Sequence, residues 1–107
     1  MTIDSAVRVR TQATRGFAVP ASLDDLTGPA EGSLRLPDTV YWGPDPVVDL
    51  AHWDDVAKAY EATLREGTLA DVQALVSPAV LRRWWSRLFL PVRIRRAWES
   101  RFPELVS

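Results

Sequence analysis

From Asp49 onward the chain takes up a helical period and keeps it almost to its C-terminus, through start and stop signals only a residue or two apart. Trp53, Val56, Ala57, Tyr60 and Leu64 recur at i, i+3, i+4, i+7 and i+11, which places them in one apolar stripe. The spacing predicts a helix over Asp49–Glu66, with Asp54–Lys58 and Glu61–Arg65 as i,i+4 charge pairs and Gly67 as its C′ residue. Thr68 with Asp71 has capping-box spacing and opens a second helix that buries Val72, Leu75 and Val76. Ser77-Pro78, a cap followed by a proline suited to the first helical position, opens a third. That helix runs to about Phe89, with Leu81, Trp84, Trp85 and Leu88 inward and Val80 at the margin. Pro91 starts a fourth, on which Ile94, Trp98 and Phe102 share a side until Pro103 ends it. Four helices joined so tightly must pack as neighbouring corners.

Upstream the signals are weaker. Ser22 and Asp25 have capping-box spacing with an aspartate in place of glutamate, which predicts one helical turn over Leu23–Leu26. Over residues 33–48, Leu34 and Leu36 alternate with Ser33 and Arg35, and Pro37-Asp38 then interrupts the chain. The β-favouring run Thr39-Val40-Tyr41-Trp42 follows, then Gly43-Pro44-Asp45-Pro46 and Val47-Val48. This reads as a ribbon of two or three short strands, which must lie against the helices to be stable. Residues 1–20 read as an edge strand or a flexible arm. The expected fold is therefore mainly α: an N-terminal short β ribbon packed on a compact four-helix C-terminal part, with the helical core over residues 49–103. One small domain accounts for 107 residues, 47% of them hydrophobic and 25% charged.

The net charge of −1 conceals a strong segregation. Residues 1–20 carry three arginines against Asp4. Residues 21–77 carry eleven acids against Arg35, Lys58 and Arg65, for −8, and residues 78–107 carry seven arginines against Glu99 and Glu104, for +5. Either the acidic middle and basic end neutralise each other within the fold or between copies, or the basic end faces a polyanion or an acidic groove on a protein. Arg82, Arg83, Arg87, Arg93 and Arg96 stand on the last two helices with Trp84 and Trp85. On a helical wheel Arg83 and Arg87 lie together, Arg82 flanks the apolar face, and Arg93 and Arg96 share the far side of the fourth helix. Arginine stems can simply cover apolar surface. Guanidinium beside tryptophan is equally the composition of a binding hot spot. Trp84 and Trp85, about 100° apart on a helix, are not expected to be fully buried together. Arg82, Arg83, Trp84, Trp85, Arg87, Arg93 and Arg96 are accordingly the candidate partner-binding residues.

Catalysis has little to work with. The chain has no cysteine and one histidine, His52, expected in the first turn of the Asp49–Glu66 helix beside acids suited to capping it. Asp49, Asp54 and Asp55 do not have calcium-loop spacing, and the scattered glycines form no phosphate-cradling motif. No metal or cofactor is expected, and the chain reads as non-enzymatic. The absence of cysteine, of a signal-peptide run at the N-terminus and of an uninterrupted apolar span predicts a cytoplasmic protein with no membrane segment. A protein partner, a homodimer and a nucleic acid are the occupants open to the basic surface. Ser77-Pro78 leaves almost no turn for a helix-turn-helix, and no glycine-and-aromatic strand pair resembles an RNA-binding sheet.

One series of short motifs adds a further expectation: Asp49-Leu50, Ala59-Tyr60-Glu61, Leu64-Arg65-Glu66-Gly67-Thr68, Asp71, Trp85, Leu90-Pro91-Val92-Arg93 and Ala97-Trp98. Across roughly half the chain this resembles small actinobacterial proteins encoded beside nucleotidyltransferase-like toxins of the abortive-infection type, whose members are regarded as the antitoxins. The resemblance implies a protein that binds and neutralises its toxin or regulates it. It carries no assigned site residues.

Overall fold

The computed structural model describes residues 18–106. A 3-10 turn over Leu23–Asp25 leads to two strands, β1 (Ser33–Arg35) and β2 (Val47–Asp49), and then to four helices. These are α1 (Trp53–Glu66), α2 (Leu69–Leu75), α3 (Pro78–Trp84) and α4 (Val92–Arg101), with 3-10 turns over Trp85–Arg87 and Pro103–Val106. The mainly helical fold with a small β ribbon ahead of the helices is thus present. The expectation for residues 1–20 falls almost wholly on residues 1–17, outside the described residues. Of the remainder, Ala18 and Val19 pack on the core and Pro20 is buried.

β1 and β2 pair antiparallel with Ser33 opposite Asp49, Leu34 opposite Val48 and Arg35 opposite Val47. The ribbon is closed at both ends, by Leu36 N–H donating to the Pro46 carbonyl and Leu50 N–H donating to that of Gly32. Strand alternation turns Leu34 and Val48 inward and their neighbours to solvent. No strand forms over Thr39–Trp42. The N–H groups of Val40 and Tyr41 both donate to the Pro37 carbonyl at 2.9 Å, and the Thr39 hydroxyl donates to Asp71 at 2.6 Å. These bonds fold the run into a turn, with Val40 buried and Trp42 projecting. β propensity loses here to local hydrogen bonding.

Asp49 belongs to the ribbon, not to α1. Its Oδ1 accepts from Ala51 N–H and its own N–H donates to Asp55, so the helix starts at Trp53 with His52 as an N-cap whose side chain makes no capping hydrogen bond. The apolar stripe of α1 is buried at Val56, Tyr60 and Leu64, while Trp53 and Ala57 are half-buried. The two surface charge pairs do not form. Lys58 donates instead to the Asp45 carbonyl and lies over the Tyr41 ring, and Glu61 accepts from Phe89 N–H. Gly67 ends α1 in an extended conformation (φ −74°), so its role is not left-handed geometry. A Cβ there would stand 2.7 Å from the Thr63 carbonyl oxygen, which accepts the Gly67 N–H.

The capping boxes of Ser22–Asp25 and Thr68–Asp71 are complete, and Ser77 caps α3 ahead of Pro78. Burial alone would raise the Asp71 pKa. Hydrogen bonds from the Thr39 hydroxyl and from the Thr68 backbone and side chain outweigh it and hold the carboxyl below its usual value. α3 is shorter than its pattern suggests. After Trp84 the backbone tightens into the 3-10 turn, and Arg95 of α4 donates to the carbonyls of Trp85 and Leu88. With Glu61 taking the Phe89 N–H, side chains of other helices satisfy a backbone that would otherwise continue its own ladder. Trp85, Trp98 and Phe102 form the aromatic end of the core, with successive ring centroids 6.1 and 5.7 Å apart.

Candidate protein-binding surface

The end of α3 and the start of α1 place Trp84 and Trp53 together, ring centroids 5.0 Å apart at an interplanar angle of 42°. Arg87, brought round by the 3-10 turn, lies 4.5 Å from the Trp53 centroid and 5.2 Å from that of Trp84, and Arg83 lies 4.9 Å from the Trp84 ring. Each such contact is worth about 0.5–1 kcal/mol at an exposed site, so the cluster holds its own shape. Arg83 and Arg87 are exposed, and neither makes an ion pair or side-chain hydrogen bond among the described residues. Among the described residues, their N–H donors are therefore uncommitted. A concavity of about 310 Å³ adjoins the cluster, lined by Arg83 and Trp84 with Ala30, Leu50, Ala51 and Val80 among its walls.

The seven sequence candidates separate in space. Arg83, Trp84 and Arg87 come together. Arg82 is bound to Glu104 at 2.9 Å, in a half-exposed pair. Trp85 is 1% exposed and donates from Nε1 to Glu99 at 2.8 Å, so it belongs to the core and not to a surface. This agrees with the expectation that the adjacent tryptophans would not both be buried. Arg93 and Arg96 are exposed on α4, and no contact joins them to the Trp84 cluster. Trp53, read as a stripe residue, is the member that sequence reasoning left out. No signal in the sequence marked it, because the helix was expected to start at Asp49 whereas α1 starts at Trp53 itself.

The charge segregation persists in the fold. The ion pairs among the described residues are Arg82–Glu104 and Arg95–Glu99, with His52 Nδ1 3.8 Å from Asp49, and none of these contacts joins the acidic middle to the basic end. Among the described residues, no three of His, Asp and Glu gather where they could hold a metal ion, and no helix is long and apolar enough to cross a membrane. No family model matches the chain, and no curated protein or solved structure shows significant similarity to it.

Proposed function

We propose that this chain is a non-catalytic, antitoxin-like protein-binding module, acting in the cytoplasm, that docks through Arg83, Trp84 and Arg87 on an acidic surface of a partner protein. The observation that supports it is the pair of guanidinium groups held over the Trp53–Trp84 stack with no carboxylate partner among the described residues. Stacking fixes the position of each arginine before binding, which lowers the entropy lost on association. A planar guanidinium then matches a partner's carboxylate with two parallel hydrogen bonds, and the half-buried indole between them supplies apolar contact. The resemblance to antitoxins of nucleotidyltransferase-like toxins supplies the partner class.

Capture from a native lysate with the wild-type chain and with Arg83→Glu/Arg87→Glu tests the reading. A protein retained by the wild type and lost from the double variant supports it, and a nucleotidyltransferase among the retained proteins supports its antitoxin form. Equal recovery by both chains removes these arginines from any interface. Recovery of nucleic acid, released steeply by salt, replaces the reading with a nucleic-acid-binding one.

A further inference from the structure

An exposed aromatic lies away from the Trp84 cluster. Trp42 is 83% exposed although the turn that carries it is firmly tied, by the two hydrogen bonds to Pro37, by Thr39 on Asp71 and by Lys58 over Tyr41. A concavity of about 390 Å³ beside Trp42 is lined by Val40, Tyr41, Gly43 and Glu66, so its one charged lining residue is a carboxylate. Glu66 is also the last residue of α1, where the helix dipole is negative. A larger concavity, about 720 Å³, lies along the Pro37 and Pro46 side of Trp42 and is lined by Arg35 and Asp38, charges of opposite sign. The smaller one fits a cationic side chain carried on an apolar surface.

Such a surface exists on the same chain. On α4, Val92, Arg93 and Arg96 fall within an arc of about 100°, opposite the buried Ile94 and Trp98. Val92 is 62% exposed, and Phe89, just upstream, is 81% exposed. Arg93 and Arg96 make no ion pair or hydrogen bond among the described residues. One face thus offers an indole and a carboxylate, the other guanidinium groups flanked by apolar side chains, and no ion pair among the described residues links their two regions within one chain.

We propose that the Trp42 concavity of one copy receives the Val92–Arg93–Arg96 face of a second copy, forming a head-to-tail contact. The contact is heterologous, so every open assembly keeps one unused face of each kind and association continues into rings or chains of copies. Both patches are small beside the roughly 800 Å² per partner of stable complexes, so the contact is weak and grows with concentration. It uses a surface other than the Arg83–Trp84–Arg87 cluster and stands independently of the function proposed above.

Sedimentation velocity over a concentration series, at low and high salt, tests it with two variants of the full chain. Trp42→Ser/Glu66→Lys removes the receiving face, and Arg93→Glu/Arg96→Glu removes the inserted one. The wild type is expected to gain mass with concentration and to lose the gain in high salt. Each variant alone is expected to stay near the 12.0 kDa monomer, its association weakened by about tenfold or more. Their equimolar mixture still holds one intact face of each kind and is expected to form a dimer that grows no further. Circular dichroism checks that both variants are folded, and Phe89→Ser serves as a second change on the inserted face. A wild type that stays monomeric throughout overturns the proposal, as does an associating wild type whose mixed variants form no dimer.

Discussion

The phenol oxygen of Tyr60 accepts a hydrogen bond of 2.9 Å from the backbone N–H of Ser77, and both residues are buried. The bond ties the middle of α1 to the cap of α3, and therefore fixes where the helix carrying Arg83 and Trp84 begins. Tyr60→Phe keeps the ring and strands the Ser77 N–H in the core. A buried donor left without an acceptor costs about 1–3 kcal/mol. Urea unfolding of the variant is expected to show a lower midpoint with an unchanged slope. A loss below a few tenths of a kcal/mol would mean that the Ser77 N–H finds another acceptor.

Tyr60 also contributes stability that depends on alkaline pH. Burial pushes its pKa up to about 12, and the Ser77 N–H, which favours the phenolate, offsets only part of that. The folded state thus holds the proton more tightly than the unfolded chain, whose tyrosine titrates near 10. The contribution is complete below about pH 10 and is lost as pH rises from there toward about 12, amounting to roughly 2–3 kcal/mol at the upper end. Unfolding free energy measured from pH 8 to pH 11 is expected to fall above about pH 10, and to fall less in Tyr60→Phe.

Much of this architecture was legible because it rests on local signals. Ser22 with Asp25, Thr68 with Asp71, and Ser77 before Pro78 are short-range capping devices, and each forms as its spacing indicates. The stripe of α1 and the Ile94–Trp98–Phe102 side of α4 are periodic, so their buried faces could be assigned. What could not be read depends on partners distant in sequence. Thr39–Trp42 becomes a turn partly because Asp71 takes the Thr39 hydroxyl. α3 stops early because Arg95 and Glu61 capture the backbone that follows it. Helical angles alone showed that Trp84 and Trp85 must diverge. Which one goes inside is decided by Trp98 and Glu99 on another helix. The Arg83–Trp84–Arg87 group was visible as spacing, but its fourth member, Trp53, comes from α1.

Gly28 provides a test of close backbone packing. Thr27 and Gly28 donate their N–H groups to the carbonyls of Gln73 and Val76, which covers the C-terminal end of α2. A Cβ on Gly28 would lie 2.3 Å from the Leu75 carbonyl carbon and oxygen, and backbone cannot swing aside as a flexible side chain can. Gly28→Ala is expected to destabilise the chain by about 2–4 kcal/mol, above the usual range for a conservative change. Gly32, with φ +88° and open space around its missing Cβ, is the comparison. Gly32→Ala is expected to cost only the backbone strain, about 1–2 kcal/mol. Thermal unfolding of the two variants side by side checks the order.

Arg95 links the core to the proposed binding surface. Its guanidinium lies 5.0 Å from the Trp85 ring, donates to the carbonyls of Trp85 and Leu88, and is 3.6 Å from Glu99. These contacts hold the 3-10 turn that carries Arg87 back toward Trp53. Lysine in its place keeps the charge and loses the forked geometry that reaches two carbonyls. Arg95→Lys is therefore expected to lower stability by about 1–2 kcal/mol and to loosen the Trp53–Trp84 pair. Indoles this close couple excitonically, Trp53–Trp84 at 5.0 Å and Trp85–Trp98 at 6.1 Å, so the share of the far-ultraviolet dichroism couplet that Trp53→Phe removes reports the Trp53–Trp84 pair. Under conditions where the variants remain folded, the share that Trp53→Phe removes is expected to be smaller in an Arg95→Lys background and unchanged in Arg93→Lys, whose side chain touches neither ring. Full retention of that share in Arg95→Lys would show that the turn is fixed by Trp85 and Leu88 packing alone, with Arg95 contributing only stability.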